Sequence, residues 1–249
     1  MRIFFIISLL IYSNCLFSKE INLHFEIDWK SAHLADLFWD ISIKDNHYDI
    51  KYLIKSYGIT DQIFNYESLT FVKGYIDNSQ LRPLSYKSKT KSTRQDVYTN
   101  ILFNRDGTIK DFDISKEISK DQLDLQNKIL EKFLYFTDPV SQLSQYFLYN
   151  TNSDRLIIDG LNIYQLKKNN ISSATSRDDN SDIHDDEVKK LILSFPFFKG
   201  IHKIDKKNNL YEIHMTYKEL NNLLLPIEYD IFSKKFNAKL FLKNYEVSE

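Results

Sequence analysis

The side chains in this sequence that could do chemistry are scattered. None of the six histidines is spaced from another histidine, or from the only cysteine, as paired metal ligands are. The spacing therefore predicts no metal site, and it favours solvated histidines at every one of these positions: His24, His33, His47, His184, His202 and His214.

Two other features could carry chemistry. The acidic segment 178–187 could bind a hard cation through oxygen, but it lacks the ligand spacing and the turn glycine of a calcium loop. Ser141 follows Asp138-Pro139 without a glycine-flanked turn or an assigned base, so a place at a helix start is preferred over a nucleophile. The sequence predicts no catalytic residue and no cofactor, and an enzyme is the less favoured reading.

Aromatic residues are the most distinctive part of the composition, with 16 Tyr, 18 Phe and 2 Trp. Large aromatic side chains can fill the concave face of a curved sheet, or they can line a groove for a lipid-like ligand. Filling is the simpler alternative, and the sequence leaves both open. The candidate groove residues are Trp29, Trp39, Tyr52, Tyr86, Phe103, Leu143 and Phe147.

The first eighteen residues have the order of a secretory signal peptide. Arg2 precedes an apolar run at 3–12, and Ser18 is a small residue at the exit. We expect cleavage near Ser18 and a periplasmic protein, with lipid attachment at Cys15 as the less favoured alternative. After cleavage no cysteine remains, so we expect no disulfide and a fold that depends on its core.

Charge and hydropathy exclude several classes of partner. The formal net charge is -1, which offers no electrostatic basis for binding nucleic acid. No later stretch reaches the roughly 20 apolar residues of a membrane span, so we expect a soluble mature chain. Residues 19–249 are predicted to form a single β-rich domain, with a mobile polar insertion at about 169–187.

Alternation of apolar and polar residues predicts most of the secondary structure. Residues 21–29, 37–43 and 48–54 should form an antiparallel meander, with a connection at 31–35. We expect Asp61 to cap a short helix, with Ile63, Phe64 and Leu69 facing inward. The segment 187–198 is ambiguous between strand and helix, and the further predicted strands are 81–89, 95–104, 108–114, 155–158, 162–167, 211–217, 224–232 and 236–245.

Helical spacing appears in the middle of the chain. Residues 122–136 have apolar side chains near a helical period. A second helix is predicted at 138–149, where Asp138 can cap and Pro139 suits the first helical position. Its apolar stripe is Val140, Leu143, Phe147 and Leu148.

The order of these segments resembles the exported bacterial family of domain of unknown function 3108. This chain has Ser31-Ala32-His33 where that family usually has glycines between its first two strands. The resemblance implies an exported protein without established catalytic residues, and its likeness to lipoprotein carriers is an analogy at the level of fold. The segments that carry it are 25–54, Gly74 with 81–86, 103–107, 138–141 with Leu143, 159–160 with 164–166, 225–228 and 236–240.

These observations predict a mainly β fold with a few helices, in which a curved antiparallel sheet, or half-open barrel, wraps around a central helix. The leading function is noncatalytic binding of an apolar envelope ligand, such as a lipid or a lipoprotein acyl chain. An envelope structural or protein-interaction module is the alternative, and a hydrolase of unknown type is third. A groove between helix and sheet would favour the first function, and a sealed core with an exposed edge the second.

Overall fold

The protein is described from a computed structural model that covers residues 18–94, 96–116, 120–151, 155–160, 162–170, 188–200, 210–233 and 237–248. Residues 1–17, including Cys15, lie outside the described residues, so the signal peptide stays a prediction. Residues 171–187 also lie outside them. Asn169 and Asn170, at the start of the predicted insertion, belong to a strand.

Fourteen strands of the described chain form a single sheet in the order β7-β6-β5-β4-β3-β2-β1-β14-β13-β12-β11-β10-β9-β8. Neighbouring strands are antiparallel, except that β8 and β9 run parallel. The strands are β1 (Ser18–Trp29), β2 (Ala32–Lys44), β3 (His47–Ser56), β4 (Glu67–Asp77), β5 (Gln80–Lys91), β6 (Asp96–Phe103), β7 (Ile109–Ile114), β8 (Phe136–Thr137), β9 (Leu156–Ile158), β10 (Asn162–Asn170), β11 (Lys189–Gly200), β12 (Leu210–Leu220), β13 (Leu223–Ser233) and β14 (Asn237–Ser248).

Three helices lie within the described ranges: α1 (Gly58–Phe64), α2 (Lys120–Lys132) and α3 (Pro139–Tyr149). None of them is both long and apolar enough to cross a membrane. Helix α3 contacts β5 on one side and β13 on the other, although five strands separate these two in the sheet. Neighbouring strands are about 4.8 Å apart, so the sheet must be strongly curved for one helix to reach both.

The sheet is nearly closed into a barrel. Its first and last long strands are neighbours, since β1 pairs with β14 from Glu20↔Ser248 to Asp28↔Lys239. At the opposite side, Phe136 N in β8 donates to Gly107 O in the β6–β7 turn at 2.9 Å. The prediction of a mainly β fold with a few helices is confirmed, and the barrel is closer to closure than half-open.

The opening meander is confirmed, but the predicted connection at 31–35 is wrong. Strand β2 begins at Ala32, which pairs with Trp29, so only Lys30 and Ser31 form the turn. Both turn residues have left-handed backbone, with φ of 49° and 65°. Two such residues match the twist of the flanking strands, which allows a tight hairpin without glycine.

The expectation for the short helix is also wrong. The residue before helix α1 is Tyr57, whose side chain makes no capping bond, and Asp61 lies inside the helix. The Asp61 carboxylate accepts from Ser56 Oγ at 2.6 Å instead. Ile63 and Phe64 are 57% and 43% exposed. A seven-residue helix has too little surface to bury a face, so bonds to its flanking strands hold it.

The segment that was ambiguous between helix and strand forms strand β11. It pairs with β10 on one side and with β12 on the other. Leu191 and Leu193 are buried, and Lys190 and Ile192, which alternate with them, are half-buried. Hydrogen bonding to two neighbours therefore decides between alternatives that the apolar pattern left open.

Candidate functional site

Helix α3 begins at a buried carboxylate. Asp138 is fully buried and accepts from Val140 N at 3.0 Å and Ser141 N at 2.8 Å through the same oxygen, Oδ1. Pro139 occupies the first helical turn, so the predicted start of this helix is confirmed. Burial raises the pKa of Asp138 to about 6, although the hydrogen bonds from Ser141 and Val140 favour the charged form.

Ser141 lies next to this cap and contacts the sheet. Its Oγ is 2.8 Å from the hydroxyl of Tyr48 in β3, and both residues are buried. Burial, and then the neighbouring Asp138, raise the pKa of Tyr48, so its phenol stays protonated and cannot serve as a base. Ser141 has no exposed surface, and its hydroxyl joins the helix to the sheet.

The polar face of the helix is also buried. Gln145 Oε1 accepts from Leu81 N at 2.6 Å, and its Nε2 donates to Ser79 O at 2.7 Å and to Thr151 Oγ1. Arg155 Nη1 donates to Leu81 O at 2.9 Å. Burial, with Arg82 nearby, lowers the pKa of Arg155 to about 10. The bonds of Gln145 fix helix α3 to the β4–β5 hairpin, and the bond of Arg155 ties the segment before β9 to the same hairpin.

Three predicted groove residues form one aromatic cluster between helix and sheet. The ring of Trp39 meets Tyr52 at 5.1 Å and Phe147 at 5.2 Å, both edge-on. Trp39 and Phe147 are each 1% exposed, whereas Tyr52 is half-buried. The cluster therefore packs the helix onto β2 and β3, and only Tyr52 keeps accessible surface.

The other predicted groove residues are spread over the barrel. Tyr86 and Phe103 are buried on the inner face of β5 and β6, and Leu143 is half-buried on helix α3. Trp29 is at the end of β1, 39% exposed, with Lys30 Nζ 4.8 Å above its ring. The structure therefore does not bring Trp29 together with the aromatic cluster.

A groove lies at the other end of helix α3, where the helix meets the β12–β13 turn and the ends of β1 and β2. Its volume is about 710 Å³. Asn150 ends the helix in left-handed conformation, with φ of 52°, and Asn221 and Asn222 form the β12–β13 turn. The groove is lined by Lys19, Ile43, Leu148, Tyr149, Asn150, Glu219, Asn221, Asn222, Leu223 and Leu224.

The floor of this groove is apolar and its rim is polar. Ile43, Leu148, Leu223 and Leu224 are each 3–6% exposed. On the rim, Lys189 Nζ pairs with Glu219 Oε1 at 2.9 Å, and Lys168 Nζ donates to Asn150 O at 3.3 Å. A cation at these last carbonyls offsets the partial negative charge of the helix end.

Sequence reasoning missed this groove. Of its lining residues, only Leu148 belongs to the predicted apolar stripe of the helix. The Asn221-Asn222 pair does signal a turn, because asparagine tolerates left-handed backbone. Nothing local shows that this turn meets Asn150, which is far away in sequence.

Two histidines meet on the outer face of β1 and β2. His24 Nε2 is 2.8 Å and His33 Nε2 is 3.6 Å from Asp36 Oδ1. His33 Nε2 also lies 3.0 Å from Ala35 O, as expected for a hydrogen-bonded N–H. Across the described ranges, no group of three or more His, Cys, Asp or Glu side chains is arranged to hold a metal ion.

No protein-family profile matches this chain, and no curated protein matches it. It is similar to the crystal structure of a β-barrel-like protein of domain of unknown function 1849 from Brucella abortus, with 10% identity and a TM-score of 0.43, over 94% of this chain and 99% of that one. It is also similar to a protein of the domain of unknown function 1329 family from Desulfovibrio piger, with 9% identity and a TM-score of 0.25, over 96% and 89%. The resemblance to domain of unknown function 3108 stays a prediction.

Proposed function

We propose that this protein is a noncatalytic binding protein of the bacterial envelope, in which the barrel-shaped sheet wraps around helix α3 and holds an apolar or amphipathic ligand beside it. A lipid or a lipoprotein acyl chain has the required chemistry. The proposal that it acts in the periplasm depends on the signal sequence at 1–18, with anchoring through Cys15 as the alternative.

The observation that carries this function is the groove at the end of helix α3. Its volume of about 710 Å³ lies within the roughly 300–1,000 Å³ typical of ligand pockets. An apolar floor under a polar rim suits a ligand with an apolar chain and a polar head. The rim charges of Lys189 and Glu219 are paired with each other, and Lys168, which donates to Asn150 O, adds a positive charge, so the rim suits an uncharged or an anionic head group.

The buried groups at the start of the helix support a noncatalytic role. Asp138 and Ser141 are the residues most suited to acid–base or nucleophilic chemistry, and neither has exposed surface. Their hydrogen-bonding capacity is directed to the helix backbone and to Tyr48. Chemistry at these groups would need an opening of the core, whereas binding at the groove needs none.

The test is a titration of the mature chain with a fluorescent fatty-acid analogue. Tyr149→Ala removes a half-buried aromatic wall of the groove and should weaken binding at least tenfold, or about 1.4 kcal/mol. Tyr135→Ala is the matched control, because Tyr135 is 58% exposed and does not line the groove. Absence of binding by the wild type, or equal affinity in both variants, would refute the groove as the binding site.

A protein-interaction module is the second candidate, and helix α1 favours it. Tyr57, Ile59, Ile63 and Phe64 are 55%, 75%, 57% and 43% exposed around this short helix. Contiguous exposed apolar side chains are typical of interaction surfaces. A photo-crosslinking residue at Ile59 should then yield one discrete product that the Ile63→Asp change abolishes, with the same probe at exposed Lys73 as control.

A further inference from the structure

At the end away from the groove, the inner face of the barrel carries two different kinds of side chain, hydroxyl on some strands and apolar or aromatic on others. Strands β4 and β5 there turn hydroxyl side chains inward in place of the usual aliphatic ones. Ser68 Oγ lies 2.9 Å from Thr90 Oγ1, and Thr70 Oγ1 donates to Ser88 Oγ at 2.9 Å. We call these four residues the hydroxyl wall.

The hydroxyl wall faces apolar and aromatic residues on β1, β2 and β3. Phe25, Leu37 and Trp39 are each at most 1% exposed, while Ile54 and Tyr52 are half-buried. The inward positions at this level of β3 to β6 carry no charged side chain: Tyr52, Ile54, Ser68, Thr70, Tyr86, Ser88, Thr90, Val97 and Thr99. Two carboxylates lie within electrostatic range of Tyr86: Asp159, which accepts hydrogen bonds from Asn162, and the buried Asp138, which accepts from Val140 N and Ser141 N.

Several polar atoms inside the barrel have no hydrogen-bond partner among the described residues. Among them are Trp39 Nε1, Tyr229 OH and Ser144 Oγ, on residues that are 1%, 4% and 0% exposed, and also Asp138 Oδ2 and Gln142 Nε2 at helix α3. Trp39 contacts Tyr52, and Tyr52 is within electrostatic range of Tyr229, so these three aromatic residues lie near one another in the interior. Buried donors and acceptors are nearly always paired in native proteins, so each of these atoms needs an explanation.

Stabilisation of the sheet explains only part of this arrangement. Cross-strand hydroxyl pairs stabilise sheets, which accounts for the bonds within the hydroxyl wall. It does not account for the unpaired Trp39 and Tyr229. It also does not account for the surface that Ser68, Ser88 and Thr90 keep although they point inward. Both features are expected where the interior accepts a molecule with hydrogen-bonding groups of its own.

We propose that the barrel interior between the hydroxyl wall and Trp39 binds an uncharged, hydroxyl-rich molecule with the chemistry of a sugar or glycerol head group. Such a molecule can accept from Trp39 Nε1, exchange hydrogen bonds with Tyr229 and the hydroxyl wall, and place carbon surface against Ile54 and Tyr52. A carboxylate would lie near the like charges of Asp138 and Asp159 and would meet no cation at these inward positions. This site is separate from the groove at the end of helix α3 and does not depend on it.

The experiment uses Trp39 as its own reporter. Trp29→Phe leaves Trp39 as the only tryptophan, so fluorescence then reports on the barrel interior. Octyl β-glucoside below its micelle concentration should give a saturable change, and octanoate should bind at least tenfold more weakly. Methyl β-glucoside, which lacks the octyl chain, distinguishes a free sugar from a glycolipid head group. Saturation by methyl β-glucoside points to a free sugar, and saturation by the octyl compound alone points to a glycolipid head group.

Variants decide whether the hydroxyl wall is the contact. Thr90→Val and, separately, Ser88→Ala should each weaken octyl glucoside binding several-fold. Ser42→Ala is the matched control, since Ser42 makes its bond to Glu20 on the outer face of the sheet. Equal response to octanoate, no response to either glucoside, or unchanged binding in both wall variants would overturn the proposal. Binding of the fatty-acid analogue that is sensitive to Tyr149 would still support the groove, so the two proposals fail separately.

Discussion

The two ends of helix α3 differ in what surrounds them. At its start, Asp138 and Ser141 have no exposed surface, and their bonds reach the helix backbone and Tyr48. At its end, Tyr149 and Asn150 border a groove of about 710 Å³. The residue types best suited to catalysis, Asp138 and Ser141, are therefore at the sealed end, where they position the helix. The accessible space is at the other end, where the lining residues suit binding.

The largest expected effect tests whether the helix is a packed part of the core between these ends. Phe147→Ala should lower the free energy of unfolding by about 3–5 kcal/mol, because Phe147 is buried against Trp39. Urea unfolding measures this change. Leu134→Ala is the control, since Leu134 is 59% exposed and should change stability by less than about 0.5 kcal/mol. A loss below 1 kcal/mol for Phe147→Ala would show that the helix is not packed as described.

The second prediction concerns pH at the sealed end. The folded pKa of Asp138 is raised from 3.8 to about 6, so folding favours its protonated form. This group contributes stability that is complete below about pH 4 and is lost as the pH rises through about 6. The difference amounts to about 3 kcal/mol for a shift of roughly two pH units.

Asp138→Asn separates this effect from the rest of the protein, because asparagine can still cap the helix without a titrating charge. We expect the variant to be at least as stable as the wild type at pH 7. Its unfolding free energy should also change less between pH 4 and pH 7. Parallel pH profiles for the two proteins would contradict a desolvated carboxylate at this position.

A smaller effect is expected from the bond between helix and sheet. Tyr48→Phe leaves Ser141 Oγ without this partner and should cost about 1–3 kcal/mol. The double variant with Ser141→Ala should cost less than the sum of the two single changes, because both remove the same bond. Additive losses in urea unfolding would show that the two hydroxyls contribute independently.

The smallest effect is expected at the open end. Asn150 ends the helix with φ of 52°, so Asn150→Ala should cost about 1 kcal/mol through its left-handed backbone. Asn150→Gly should be nearer to neutral, because glycine adopts this conformation without strain. If both variants lose as much stability in urea unfolding as Tyr48→Phe does, the open end of helix α3 contributes as much to stability as the sealed end, and the comparison between the two ends fails.

Short-range patterns in the sequence are enough for much of the fold. The alternation in β1 to β3 shows which residues face inward, since side chains of a strand point to opposite faces in turn. Asp138-Pro139 locates the start of helix α3 because capping involves only the next three residues. The signal peptide at 1–18 is read from local composition in the same way, and it stays a prediction.

Only the tertiary structure decides what these elements mean for function. The sequence pattern assigns helix α3 one apolar stripe, yet Gln142, Ser144 and Gln145 are buried as well. For Gln145, the β4–β5 hairpin supplies hydrogen-bond partners at Ser79 and Leu81. The groove joins Lys19, Leu148 and the β12–β13 turn, which are distant in sequence. Local patterns determine which way each residue points along its own element. Burial of a polar group and the lining of a groove depend on which distant element the chain brings opposite it.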